Sequence, residues 1–502
     1  MKRELAEFKS KSRAKRNQDE DGKEEVEEEE KEQKEQKVVL KPPPKKKRMP
    51  KGLRRVTSMR APKRTRSVTV PDERVPSSGF TSPSVLLERV MAKSLDKRLE
   101  TFITEVYHSD TTNRDESTHE YKTEIERWRT IIPDSFFKEN GPFHVMMHVL
   151  ETHDENYTYN NLHELLPGGG SFEITKRDIF GVMIQAFLNK LLLHDTDRNL
   201  KRLGVFDPSH SLVAPKNRQL LMTFINYFTC ISDCATCDET FLDKKVTYEL
   251  ALIKKTTEWS EDNSNFRELN FCEEKRGVEA FYDATKVNFA DSNPGGTILE
   301  SGIQWLREEI LHCIFPELLL TTLIVSRIHD DEAIIVNGLT RVSDYTGFNK
   351  TFNVGRVYSD SQHSSESVLY IDAIIGGVRN VTDLDRELNK AFIGFSKCKT
   401  ESIATGNWGC GAYSGNRNLK AIIQLMAAAK AGKNLEYASF GDEKLEIKQL
   451  NDLHQLLLSR DIKTSQVYDA LKSIADKGDI TTEKRTVFSV VEYLMNQQSQ
   501  KK

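Results

Sequence analysis

Thr405-Gly406-Asn407-Trp408-Gly409-Cys410-Gly411-Ala412-Tyr413-Ser414-Gly415 places four glycines within ten residues. Ahead of it, Ser402-Ile403-Ala404 reads as the end of a short strand. Behind it, residues 419–427 read as a helix. Strand, glycine-rich turn and helix together make a common cradle for a diphosphate. Glycine lets backbone N–H groups approach the phosphate, and the helix N-terminus adds partial positive charge. Residues 405–430 hold no Asp or Glu, so nothing there repels an anion. No Gly-Lys-Ser/Thr ends the stretch, which excludes a P-loop. The spacing of Gly406, Gly409, Gly411 and Gly415 also differs from the G-x-G-x-x-G of dinucleotide folds. An ordinary tight turn into a helix would use the same residue types, so the loop by itself leaves both readings open.

Outward from that loop the texture alternates. Residues 287–290, 332–337, 368–375 and 435–440 are short β-branched or apolar runs. Residues 303–313, 384–395 and 443–496 carry helical spacing. Alternation of this kind predicts an α/β layered domain with ligands at the strand ends. Upstream, residues 85–106, 177–194 and 217–228 read as helices, and 246–253 alternates as a strand. The expected organisation is a disordered charged tail over 1–80, a mainly α-helical accessory domain over 81–245, and an α/β domain over 246–498.

The tail is expected from composition. The net charge of −3 hides an acid-dense stretch over 19–32 and a segment, 41–66, with twelve Lys or Arg and no acid. Low hydrophobicity and blocks of like charge keep such a segment from packing. Lys41-Pro42-Pro43-Pro44-Lys45-Lys46-Lys47-Arg48 suits nuclear import receptors or nucleic acid, and equally a solvated tail with no reader. No apolar run of eighteen residues occurs, so no transmembrane helix and no membrane partner is expected. The N-terminus lacks the apolar stretch of a signal peptide. Seven cysteines without such a signal suggest reduced thiols in an intracellular protein.

Three other features bear on chemistry. In residues 288–309 a strand runs into a loop containing Gly295-Gly296 and then a helix bearing Glu308-Glu309. Adjacent helical residues point about 100° apart, so the two carboxylates cannot share one job. One can aim into a cleft as an acid or base while the other holds a hydroxyl. A solvated helix face carries the same pair. Cys230-x3-Cys234-x2-Cys237 has iron–sulfur spacing, but Tyr227 and Phe228 beside it look like core and no fourth ligand lies nearby, so no metal is expected. Gly168-Gly169-Gly170 reads as a loop between helices.

Taken together, these segments resemble the poly(ADP-ribose) glycohydrolase family. Residues 405–412 match its diphosphate loop letter for letter. Asp344-Tyr345-Thr346-Gly347-Phe348 resembles its Tyr-Thr-Gly-aromatic segment. Arg386-Glu387-Leu388-Asn389-Lys390-Ala391-Phe392-Ile393-Gly394-Phe395 matches the helix before the loop, and Ser439-Phe440-Gly441-Asp442 the next strand end. Pro316-Glu317-Leu318 follows the acidic pair as that family has it. The likeness covers about 175–490 and is most specific over 278–445. It implies a macrodomain-like mixed sheet with flanking helices that binds ADP-ribose. The family signature is Gly-Gly-Gly, six to eight residues, then Gln-Glu-Glu. Here the third glycine is Thr297, nine residues separate it from Arg307, and Arg307 stands at the Gln position. Asn288-Phe289-Ala290-Asp291 has acid and amide exchanged relative to the family's Asp-Phe-Ala-Asn.

The resemblance implies a glycohydrolase releasing ADP-ribose from poly(ADP-ribose) and from proteins that carry it, without a cofactor or metal. Nuclear residence, with a cytoplasmic share allowed, and a part in the DNA damage response are expected with it. The alternative is a catalytically weak macrodomain that reads ADP-ribose chains. On this resemblance Glu309 is the acid and base, Glu308 orients the ribose, and Asn288 is catalytic. Asn407, Trp408, Gly409, Cys410, Gly411 and Ala412 hold the diphosphate. Val278, Glu279 and Phe348 serve the adenine, and Tyr413 and Phe440 the ribose end. Asp291 and Arg307 complete the substrate site. Arg307, if turned toward the acidic pair, would lower a glutamate pKa and hinder a general acid.

Overall fold

Glycine-punctuated strands covered by amphipathic helices build this protein, as the computed structural model shows. It describes residues 82–107, 126, 128–152, 168–188, 218–253, 257–272, 277–298, 303–358, 365–478, 480 and 486–500. The tail over 1–80 and its basic cluster lie outside the described residues. Thr81–Gln498 forms one compact unit.

The first part is helical: α1 (Pro83–Met91), α2 (Leu95–Tyr107), α3 (Pro142–Thr152), α4 (Lys176–Phe187) and α5 (Arg218–Cys237). The run expected over 85–106 is two helices, interrupted at Ala92-Lys93-Ser94. A cluster of Phe102, Phe137, Phe143, Phe187, Phe224 and Phe228 fills their common core at ring separations of 5.2–6.3 Å. α5, at 20 residues, is long and apolar enough to cross a membrane by length and composition alone, although polar residues interrupt its apolar run. Most of it is buried inside the protein, as a core helix would be. It packs against α3 and α4. Cys230 and Cys234 lie buried on it. A hydrogen bond between their thiols, then burial, pushes the Cys230 thiol far up.

An eight-stranded sheet follows. Its strands are β1 (Gly170–Thr175), β2 (Lys245–Leu252), β3 (Leu269–Cys272), β4 (Ala284–Ala290) and β5 (Glu332–Leu339), then β8 (Glu366–Asp372), β9 (Ser402–Gly406) and β10 (Asn434–Ala438). The short hairpin β6 (Ser343–Thr346) and β7 (Asn353–Val357) stands apart. The spatial order is β1-β2-β5-β8-β4-β9-β10-β3. β8, β4, β9, β10 and β3 run parallel, while β1, β2, β5 and β8 pair antiparallel. The mixed α/β sheet expected from the alternating texture is present. Gly168–Gly170 leads into edge strand β1 rather than joining two helices, so the helical part supplies a strand to the sheet. Lys176, the first residue of α4, reaches inward to Glu317 at 2.9 Å, to the Gly338 carbonyl at 2.7 Å and to Thr340 Oγ1 at 2.8 Å.

The remaining helices are α6 (Arg307–Ile314), the short α7 (Thr321–Ile324), α8 (Val381–Lys397), α9 (Arg417–Ala431), α10 (Ile447–Ser459), α11 (Thr464–Asp476) and α12 (Thr486–Gln500). α8 starts where the Asn380 side chain accepts from Asp383 N, and α9 where Asn416 accepts from Leu419 N. Each such cap stabilises by about 1 kcal/mol. Gly432, at φ 69°, ends α9 in the left-handed conformation that glycine takes without strain. α8 buries Leu384, Leu388, Ala391 and Phe395, an i, i+4, i+7, i+11 stripe laid on β5 and β8. Because β4, β8, β9 and β10 are parallel, their C-terminal ends open on one edge, and the loops after them converge there.

Candidate active site

That edge is a cavity of about 1460 Å³. On one wall, Glu308 and Glu309 open α6. Glu308 Oε1 accepts from Gly295 N at 2.8 Å and Oε2 from Asp291 N at 2.9 Å. Glu309 Oε1 accepts from the backbone N–H and the hydroxyl of Thr297, each at 2.8 Å, and Oε2 accepts from Leu306 N at 3.2 Å. Gly296 brings the loop this close. A Cβ there would sit 2.6 Å from Glu309 Oε1 and 3.0 Å from Glu308 Oε2, at a φ of +51°. Burial raises the Glu308 carboxyl well above its ordinary value, against the two backbone N–H groups and helped by the Glu309 charge. Burial raises Glu309 as well, against the Thr297 hydrogen bonds. A buried carboxyl with a raised pKa is suited to donate a proton near neutral pH.

Arg307 turns away from the pair. Its Nη1 donates to Glu279 Oε2 at 3.0 Å and to the Tyr345 hydroxyl at 3.1 Å, and its guanidinium lies 4.2 Å from the centre of the Phe440 ring. The condition for lowering a glutamate pKa is therefore not met: burial governs both carboxyls, and both move up. Tyr345 OH donates to Glu279 Oε1 at 2.5 Å, and Arg341 Nη1 donates to the Glu279 carbonyl at 2.8 Å. Phe348 stands half exposed at the cavity mouth.

The glycine-rich loop between β9 and α9 closes the opposite side. Gly409 takes φ +71°, and a Cβ there would meet the Ala373 Cβ at 2.5 Å. Gly415 N donates to the Gly409 carbonyl at 2.9 Å and Ser414 N to that of Gly411 at 3.0 Å, which curls the loop back on itself. Among the described residues, the backbone N–H groups of Gly409, Gly411, Ala412 and Tyr413 make no hydrogen bond within the protein. Such a set of free N–H groups ahead of a helix N-terminus is what an anion needs. Trp408 is pinned underneath: its indole N–H donates to the Ile371 carbonyl at 3.0 Å, and Lys420 Nζ sits 3.4 Å from its ring centre. Lys420 is paired with Glu387. Asn407 is held by Tyr437 and Asp442. Tyr413 OH donates to Asp291 Oδ2 at 2.7 Å, joining this loop to the acidic wall.

The structure thus gathers Glu279, Asp291, Arg307, Glu308, Glu309 and Phe348 with Phe440 and residues 407–413 around one cavity. Two expected residues are not on its wall. Asn288 is fully buried two residues inside the end of β4, opposite Tyr370 of β8, so it cannot touch a substrate directly. Val278 is fully buried behind Glu279. Further wall residues were not singled out from sequence: Tyr282, Arg341, Tyr345 and Arg417. Tyr345 lay inside a quoted motif. The others come from separate elements, and no spacing signal links them. Among the described residues, no group of three or more His, Cys, Asp or Glu is placed to hold a metal ion.

Residues 256–447 match the family model described as "Poly (ADP-ribose) glycohydrolase (PARG), Macro domain fold". Over that stretch the chain is similar to the poly(ADP-ribose) glycohydrolase catalytic domain. Poly(ADP-ribose) glycohydrolase 2 of Caenorhabditis elegans is 28% identical over 245 residues, covering 42% of this chain and 50% of that protein. Poly(ADP-ribose) glycohydrolase 1 of the same organism is 31% identical over 235 residues, covering 41% and 30%. Poly(ADP-ribose) glycohydrolase 1 of Arabidopsis thaliana is 24% identical over 361 residues, covering 53% and 63%. The chain spans half or less of the length of the two worm relatives it matches. The stretch shared with the glycohydrolase family model runs from β3 through β10 and so contains both carboxylates, the glycine-rich loop and Phe440.

Proposed function

We propose that this protein hydrolyses the ribose–ribose O-glycosidic bonds of poly(ADP-ribose) and releases ADP-ribose. One observation carries the reading: a buried carboxyl pair of raised pKa faces a loop of free backbone N–H groups across a single cavity. The loop of residues 407–413 takes the diphosphate. Phe348 stacks on the base. Glu308 orients the terminal ribose through its hydroxyls.

Glu309 protonates the bridging ribose oxygen as its bond to the anomeric carbon breaks and positive charge builds on that carbon. The released chain leaves with a hydroxyl. The Glu309 carboxylate then takes a proton from water, whose oxygen bonds to the anomeric carbon, and the acid is regenerated. Thr297 and Leu306 hold the Glu309 carboxyl through both steps. The chain's own residues supply the acid, the base and the charge complement, so the scheme calls on no cofactor.

The basic cluster at residues 45–48 would be read by the nuclear import machinery, placing the enzyme in the nucleus, where poly(ADP-ribosyl)ated proteins of the DNA damage response would be its substrates. Incubation with labelled polymer tests the activity. ADP-ribose release is expected. Polymer binding without release at high enzyme concentration would instead identify a reader of ADP-ribose chains.

A further inference from the structure

Behind the glycine-rich loop lies a cation that the hydrolysis does not use. Lys420 is 1% exposed and sits in the first turn of α9, where the helix dipole disfavours positive charge. Burial lowers its pKa, and the Arg386 guanidinium adds to the effect. Two contacts hold it there. Its Nζ pairs with Glu387, fully buried on α8, and lies 3.4 Å from the centre of the Trp408 ring. The ammonium stands against the loop itself: a Cβ on Gly409 would lie 3.3 Å from that Nζ. Glu387 is shared, its Oε1 accepting from Ile374 N at 3.0 Å and from Arg386 Nη1 at 2.8 Å. Arg386 and Lys390 both pair with Asp372 at the end of β8. Two buried carboxylates, Asp372 and Glu387, thus hold three cations. Among the described residues, the further ion-pair partner of this group is Asp330, which is 82% exposed.

We propose that Lys420 is a positioning residue for a bound anion: it fixes the Trp408-Gly409 turn from behind and keeps positive charge in excess beneath the free N–H groups of Gly409, Gly411, Ala412 and Tyr413. The inference rests on the reading of that loop as the diphosphate site and deepens it. A buried lysine at a helix N-terminus detracts from folding, and an apolar side chain of the same length would pack under Trp408 without that cost. With an anion in front of the loop the same charge becomes favourable, because protein interior rather than water separates the two.

The test measures binding of ADP-ribose and of inorganic pyrophosphate by calorimetry, using the full chain. Lys420→Met leaves Glu387 buried without its counter-charge and should lower the melting temperature. Lys420→Met combined with Glu387→Gln removes both charges and should melt close to the intact protein. In both variants the affinity for ADP-ribose and for pyrophosphate should fall by about tenfold, the effect of one charge acting across partly screened interior. KM for polymer should rise by the same factor with kcat little changed, the mark of lost uniform binding. Intact affinity in the double variant would overturn the inference, leaving Lys420 as no more than the counter-charge of Glu387. A loss for ADP-ribose that pyrophosphate does not share would overturn it too. Binding by the intact protein without release from polymer would end the glycohydrolase reading alone, with the inference still decided by the double variant. Failure of the intact protein to bind either ligand would overturn both.

Discussion

Thr297 gives Glu309 two hydrogen bonds to one oxygen: its backbone N–H and its hydroxyl both reach Oε1 at 2.8 Å. The hydroxyl accepts in turn from Gln304 N at 3.0 Å, so its proton is committed to the carboxylate. With both lone-pair directions of Oε1 engaged, the acid proton belongs on Oε2. The hydroxyl favours the ionised form, opposing the rise caused by burial. Thr297→Ala should therefore move the alkaline limb of the pH–rate profile to higher pH. Thr297→Ser should restore it. An unshifted limb in Thr297→Ala, with the fold intact by circular dichroism, would remove the hydroxyl from the proton's control.

Replacing Glu309 by Gln keeps size and polarity but removes the proton donor. A general acid–base group contributes ~10²–10⁴-fold, and use in both steps places the loss at the upper end. ADP-ribose binding should persist. The measurement is ADP-ribose release from polymer beside calorimetric affinity. Near-normal release from Glu309→Gln with a dead Glu308→Gln would reverse the two roles.

His312 lies beneath the acidic pair. Its Nδ1 donates to the Glu308 carbonyl at 2.8 Å, and its Nε2 faces the Tyr370 hydroxyl at 3.1 Å. Burial lowers its pKa from 6.5 to about 4, against the Glu308 hydrogen bond. A folded-state value below the unfolded one means that the folded protein binds fewer protons. The associated stability is present above pH 6.5 and is lost as pH falls toward 4. The full loss is about 3 kcal/mol, from 1.36 kcal/mol per unit. Glu308 and Glu309, with raised values, carry the opposite sign, so the comparison must be between the intact protein and His312→Gln. Urea unfolding of both from pH 7 to pH 4 should show their stability difference shifting in favour of the variant as pH falls. A constant difference would mean that His312 does not carry the effect.

Phe348 is 51% exposed, too open for a core residue. Phe348→Ala should weaken ADP-ribose binding by about 1–3 kcal/mol, the scale of base–aromatic stacking, with the melting temperature unchanged. Unchanged affinity in a stable variant would take Phe348 out of the base site.

Deletion of residues 1–80 should leave catalysis intact and disturb location, since a segment of that charge and proline content contributes no core. Changing Lys45, Lys46, Lys47 and Arg48 to alanine should shift a tagged protein to the cytoplasm. Continued nuclear accumulation would place the import signal elsewhere.

Local signals made the catalytic edge legible from sequence. The loop of residues 405–415 announces itself because glycine is needed where Gly409 meets Ala373, and the long buried run of α9 follows without a break. Glu308 and Glu309 stand out as an adjacent pair. Tyr282, Arg341 and Arg417 carry no such signal, because chain reversal alone brings them together. Edge strands were the other loss. β1 and β3 are short and largely exposed or half-exposed; β1 alternates only over Ser171–Thr175, directly after a glycine run that reads as a loop, and β3 is four residues long. α6 begins at Arg307 rather than near residue 303, because Leu306 is still extended and the Glu309 side chain caps the turn. Asn288 was carried over from a motif whose acid and amide are exchanged here, and motif position does not say which side chain reaches the cavity.

The reach of Lys176 to Glu317 matters to anyone cutting the chain at residue 246, where the texture changes. Such a fragment would strip β1 from β2 and bare a row of unpaired backbone groups, a template for another chain to join. It would also strand the Glu317 carboxylate in the protein interior without its ammonium partner, a loss of about 3–5 kcal/mol when one half of a buried pair is removed. The smallest well-behaved piece therefore starts upstream of Gly170, and a recombinant catalytic fragment trimmed to the α/β texture should be recovered as aggregate.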